Sequence, residues 1–61
     1  MKISIEAARV NAKIRLVDAA KALGISPSTL SGYENGKVAP RADLLEKMAA
    51  LYNWPIEYFR V

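Results

Sequence analysis

The stretch Leu16–Gly36, LVDAAKALGISPSTLSGYENG, decides how the rest of this chain must be arranged. Gly24 follows an apolar-periodic run from Leu16 to Leu23, and glycine accepts the left-handed backbone with which a helix commonly ends. Ser26-Pro27 restarts a helix at once: serine is a preferred N-cap, and proline at the first helical position gives up only an N–H that has no intrahelical partner. The spacing therefore predicts one helix from about Leu16 to Leu23, a turn at Leu23-Gly24-Ile25, and a second helix from about Pro27 to Tyr33 or Glu34.

Two helices joined this closely cross steeply and need small side chains where their backbones meet. Ala19 and Ala20 supply them, and Leu23, Ile25, Leu30 and Tyr33 are apolar anchors on either side of the turn. This is the residue pattern of a DNA-binding helix-turn-helix. A plain corner in a helical domain needs part of the same pattern, and the segment alone leaves that reading open.

The whole chain narrows the choice. Its 61 residues suit a single domain over 1–61, one that buries only ~60% of its unfolded surface and has modest stability. Cysteine and histidine are both absent, so disulfides are excluded and the usual zinc ligands, general base and thiol nucleophile are missing. No metal, no cofactor and no catalytic activity are expected. The net charge of +3 favours a polyanionic partner. Glu6 and Arg9 interrupt any apolar signal core after Lys2, and no run approaches a membrane span, so a cytoplasmic protein without membrane contact is expected. With 52% hydrophobic residues and no repetitive or Ser/Gly-rich tract, the chain should fold almost end to end.

Before the corner, Ser4 can cap a helix over about Ile5 to Ala12, with Ile5, Ala8 and Ala12 on one face and Arg9 beside it. Lys13-Ile14-Arg15 connects it to the next helix, with Ile14 as an apolar plug. Arg15 stands where a serine or threonine cap is expected, and an arginine at a helix start is also placed to meet a phosphate. On the exposed side of the Pro27 helix the residues are short: Ser28, Thr29, Ser31 and Gly32. A merely solvated face would favour Lys, Glu or Gln, which are better helix formers. Hydroxyls can bond to base edges and phosphates, and Gly32 lets a backbone come close.

Asn35-Gly36 ends that helix, and Lys37 to Arg41 form a loop in which Pro40 keeps Ala39 extended. A longer amphipathic helix follows from about Ala42 to Tyr52, with Leu44, Leu45, Met48, Ala49 and Leu51 or Tyr52 as its apolar stripe. Asn53 can end it, Trp54-Pro55 restarts the chain, and Ile56 to Phe59 makes a final turn or short helix whose Phe59 plugs the core.

With these helices placed, the sequence resembles the phage-repressor and Cro type of helix-turn-helix protein, the large xenobiotic-response-element family of bacterial and phage regulators. The resemblance covers nearly the whole chain. It is carried by Arg9, the Ala20…Leu23-Gly24-Ile25-Ser26 corner, Ser28-Thr29-Leu30-Ser31, Tyr33-Glu34-Asn35-Gly36-Lys37, Pro40, Leu45…Met48-Ala49 and Tyr52-Asn53-Trp54. It implies an all-α, five-helix, lambda-repressor-like domain whose second and third helices form the helix-turn-helix.

The resemblance also implies that Arg9 pairs with Glu34, and the residues agree. A carboxylate on the inward side of the third helix needs a partner, and a guanidinium fork can hold it bidentately. Both are therefore assigned to structure. The family's reading residues carry over only in part. Leu16 stands where glutamine is frequent, and Pro27 where Gln, Arg or Lys is frequent. Base contacts are expected from Pro27, Ser28, Ser31 and Gly32, with DNA shape and water carrying much of the selectivity. Phosphate contacts are expected from Arg15, Thr29, Asn35, Lys37 and Arg41; Arg15 and Arg41 both replace residues that usually cap a helix in the family.

One recognition helix buries only ~600–1,000 Å², so a homodimer on a pseudo-palindromic site of double-stranded DNA is expected. Trp54, Ile56, Tyr58 and Val61 are the expected dimer interface. The favoured reading is a Cro-like phage or prophage repressor with no small-molecule ligand, controlled by its own level and by competition for operators. The alternative is an antitoxin or anti-repressor of the same fold that acts mainly on a protein bound through Trp54–Val61. A third reading, the DNA-binding part of a larger regulator, is weaker because Met1 argues against an internal fragment.

Overall fold

A computed structural model describes residues 2–60. Ser4 closes a short strand, β1 (Ile3–Ser4), and caps α1 (Ile5–Asn11), its Oγ accepting from the Ala7 N–H at 3.1 Å. α2 (Leu16–Leu23) ends at Gly24, whose φ of 76° lets the Ile25 N–H turn back to the Ala20 carbonyl at 3.0 Å. α3 (Pro27–Glu34) begins at Ser26, which accepts from the Thr29 N–H at 3.2 Å. α4 (Ala42–Tyr52) ends at Asn53 in left-handed backbone, φ 61°.

The described residues contain four α-helices, not five. After Pro55 the chain closes a single 3-10 turn (Ile56–Tyr58) and straightens into β2 (Phe59–Arg60), which pairs in parallel with β1, Ile3 opposite Phe59 and Ser4 opposite Arg60. The physical reason is Phe59: the chain extends there and brings its side chain into the core, where it is 5% exposed. The Lys2 ammonium donates to the Glu57 carbonyl at 3.2 Å and ties the same two ends together.

The core is one cluster. Ile5 and Ala8 from α1, Ala19, Ala20 and Leu23 from α2, Leu30 from α3, and Met48 and Tyr52 from α4 meet around Phe59. Ala19 and Ala20 of α2 and Leu30 of α3 are wholly buried, and the small alanine side chains let the packed helices lie close together. Ile14, Leu16, Leu44, Leu45, Ala49, Leu51 and Trp54 pack around its edge.

Among these apolar contacts sits one charged pair. Arg9 Nε donates to Glu34 Oε2 at 2.7 Å and Nη2 to Oε1 at 3.3 Å, while Nη1 donates to the Ile14 carbonyl at 2.8 Å. The two side chains are only 12% and 6% exposed. The hydrogen bond to Glu34 outweighs desolvation and holds the Arg9 guanidinium above its ordinary pKa. α1 is thereby fastened both to the far end of α3 and to the connection that launches α2.

Removing one partner strands a nearly buried charge. Arg9→Ala is expected to cost about 3–5 kcal/mol in denaturant unfolding, and Arg9→Met with Glu34→Leu to recover most of it. A loss below about 1 kcal/mol for Arg9→Ala would place the pair among ordinary surface bridges. A second expectation concerns Tyr52, whose buried hydroxyl has no hydrogen-bond partner among the described residues. Burial first, and the Glu34 charge second, push its pKa from 10.0 up to about 12. The neutral phenol therefore favours the fold below the unfolded pKa, and this stability is lost as pH rises through the window from 10.0 to about 12. The unfolding midpoint should fall more steeply across that window than it does in Tyr52→Phe; parallel curves would contradict it.

Candidate nucleic-acid interface

α3 keeps only Leu30 fully buried among its residues, and its first turn is open to solvent. There the Ser26 hydroxyl meets Thr29 Oγ1 at 2.8 Å and Ser28 Oγ at 3.3 Å, so three hydroxyls converge beside the exposed Pro27 ring. With Ser26 as donor in that pair, the Thr29 hydroxyl keeps its own proton for an outside acceptor such as a phosphate.

The second half of α3 differs from the expectation of a uniformly exposed face. Ser31 and Gly32 are half-buried, and Ser31 Oγ accepts from the Asn35 side-chain amide at 3.3 Å. The cause is the chain after the helix. It reverses at Gly36, φ 77°, and returns the Lys37 N–H to the Gly32 carbonyl at 3.0 Å. Asn35 is exposed, and its side-chain amide keeps a second N–H beyond the one given to Ser31.

Gly32 has no internal explanation. A Cβ built on it meets nothing within 4 Å, although glycine in a helix interior costs about 1 kcal/mol relative to alanine. A methyl group would fit there without displacing any neighbour.

The cations divide into two kinds. Arg15 precedes α2 in extended backbone without capping it, and its Nε lies 3.0 Å from Asp18 Oδ2. That hydrogen bond raises the arginine's pKa. The first turn of α2 brings Asp18 within reach of Arg15 Nε and leaves the two terminal guanidinium nitrogens without a partner among the described residues. The side chains are 84% and 53% exposed, so the pair is weak, screened by salt and open to competition from a phosphate. Lys37 and Arg41 are exposed and make no side-chain hydrogen bond or ion pair among the described residues. Arg41 heads α4 as Arg15 heads α2, again without a side-chain cap.

Leu16 is half-buried against the core. Val17 and Val38, which sequence reasoning passed over, are 59% and 58% exposed. One sits in the first turn of α2 and the other next to Lys37. Their only signal in the sequence is a β-branched apolar residue where a polar one is ordinary.

At the other end lie three of the four residues expected to form an apolar face. Trp54 is half-buried against the core, its ring 6.4 Å from that of Tyr58. Ile56 and Tyr58 are 37% and 41% exposed, and Val61 lies outside the described residues. A groove of about 570 Å³ runs beside Trp54, between Ile14 and Leu51. Among the described residues no carboxylate group could hold a metal ion, and no helix is long and apolar enough to cross a membrane.

The sequence pattern described as helix-turn-helix, of the Cro and C1 type, matches residues 5–59. No curated protein and no solved structure matches the chain.

The glycine supplies a two-sided test. Gly32→Ala is expected to stabilise the free chain by about 0.5–1 kcal/mol while weakening its binding to duplex DNA. Unchanged affinity in the stabilised variant would remove Gly32 from the interface.

Proposed function

This chain belongs to the Cro and C1 type of helix-turn-helix family, whose members are DNA-binding transcription regulators, and on that premise we propose that it is a Cro-like repressor of phage or prophage origin. It lays α3 in the major groove of a pseudo-palindromic operator, binds as a homodimer, and represses by excluding RNA polymerase from the same DNA. It acts where that DNA is, in the cytoplasm, as a single domain.

The observation that carries the proposal is the open first turn of α3, with short side chains at Pro27, Ser28 and Thr29, followed by a half-buried glycine that nothing inside the molecule requires. Close approach suits a base-pair edge: hydroxyls bond to it directly or through water, and the Thr29 methyl and Pro27 ring fit a thymine methyl. Ser31 and Gly32 complete the base-contacting set at shorter reach. Lys37 and Arg41 after the helix, Arg15 before α2 through its terminal nitrogens, and Thr29 and Asn35 supply phosphate contacts. With no long polar side chain at the head of α3, DNA shape carries a large share of selectivity.

Dimerisation uses the C-terminal end. Ile56 and Tyr58 with the edge of Trp54, and Val61 in the same segment, are the apolar surface, and the groove beside Trp54 can take a side chain from a second copy. The same exposed Ile56 and Tyr58 favour one other reading, an antitoxin or anti-repressor whose main partner is a protein.

Selection of bound duplexes from a randomised pool separates the two. A repressor should enrich an inverted repeat with half-site centres about one helical turn apart, and Ile56→Asp should leave single half-site binding while abolishing the paired site. No enriched sequence, with binding equal on every duplex, would overturn the operator reading in favour of the protein partner.

A further inference from the structure

Four described residues take left-handed backbone: Gly24 at φ 76°, Gly36 at φ 77°, Asn53 at φ 61° and Lys13 at φ 62°. Glycine has no Cβ to clash in that conformation, and asparagine is among the few other residues that visit it routinely. Lysine belongs to neither group. The conformation at residue 13 is imposed from both sides. Its N–H donates to the Val10 carbonyl at 2.9 Å, and the next N–H, of Ile14, returns to the Arg9 carbonyl at 3.3 Å. The Ile14 carbonyl is itself held by Arg9 Nη1 at 2.8 Å. Any residue at 13 must accept this backbone, and glycine would accept it without strain.

The lysine side chain gives nothing back to the fold. It is exposed, it lies outside the core and its edge, and it makes no hydrogen bond or ion pair among the described residues. Its placement suggests its use. Ile14 packs inward against the core, while its neighbours Lys13 and Arg15 are both exposed at the start of α2. Arg15 Nε lies on Asp18 at 3.0 Å, whereas Lys13 has no acidic partner among the described residues.

We propose that Lys13 contacts a phosphate of duplex DNA on the α2 side of the recognition helix, opposite in chain order to Lys37 and Arg41. This rests on the DNA-binding reading above. The strained lysine has its use between molecules, and Arg15, held to Asp18 through Nε alone, can add its terminal nitrogens beside it.

The test uses the full chain, a mixed-sequence DNA duplex, and binding measured by anisotropy over a salt series, beside thermal unfolding. Lys13→Gly and Lys13→Asn remove the charge and suit the backbone; Lys13→Arg keeps the charge. The neutral variants should unfold at an unchanged or higher temperature. Their slope of log K against log salt should be shallower by about 0.9, so that raising salt from about 50 to about 200 mM weakens them about 3-fold less than the parent. Lys13→Arg should keep the parent slope. The parent slope in the neutral variants overturns the contact, and so does a lower unfolding temperature, which would mean that the lysine stem serves the fold. A parent chain that binds no duplex overturns the regulator reading and this inference together, whereas binding with unaltered slopes in the variants overturns this inference alone.

Discussion

The bidentate contact between Arg9 and Glu34 is the constraint on which the presentation of α3 depends. α3 is eight residues long, opens with proline, contains a glycine and buries a single side chain fully. A helix so short and so poor in helix formers does not persist alone in water. It is held at three points: the Ser26 cap at one end, Leu30 in the crossing with α2, and Glu34 in the grip of Arg9 at the other. A buried ion pair offers little net stability against an apolar substitute, but it accepts only one geometry. Because the same guanidinium holds the Ile14 carbonyl, the angle of α3 and the start of α2 are set by one side chain.

Holding α3 from behind leaves its front unencumbered. The exposed turn is short-chained, so a partner can approach the backbone, and the charges that would bring a polyanion there stand off the helix in the flanking connections. Their division matters. Lys37 and Arg41 have no partner among the described residues, while Arg15 shares its charge with Asp18 through Nε and keeps its terminal nitrogens open. An overall charge of +3 then attracts DNA moderately, and salt should weaken binding readily.

The central corner was legible because its signals are local and chemical. Gly24, Ser26-Pro27 and Asn35-Gly36 each mark a backbone state that other residues adopt poorly, and the bounds of α2 and α3 follow from them. Glu34 was legible as a carboxylate on an inward face that must find a cation. The C-terminal end was not, because two-residue strands have no periodicity and the pairing of Ile3 with Phe59 joins opposite ends of the chain. The side-chain pairs Arg15 with Asp18 and Ser31 with Asn35 were equally hidden: each competes with solvent, and only geometry decides it. Lys13 gave no sign of left-handed backbone, since the rule that would flag it looks for glycine or asparagine.

Amide chemical-shift mapping during titration with a DNA duplex examines the role of α3 most directly. The largest changes should fall on Ser28 to Gly32, with a second group at the head of α2 and a third from Gly36 to Ala42, while the buried amides around Ala8 and Met48 stay in place. Changes confined to the segment from Trp54 to Arg60, with Ser28 to Gly32 unmoved, would contradict it and make the C-terminal face the working surface of this molecule.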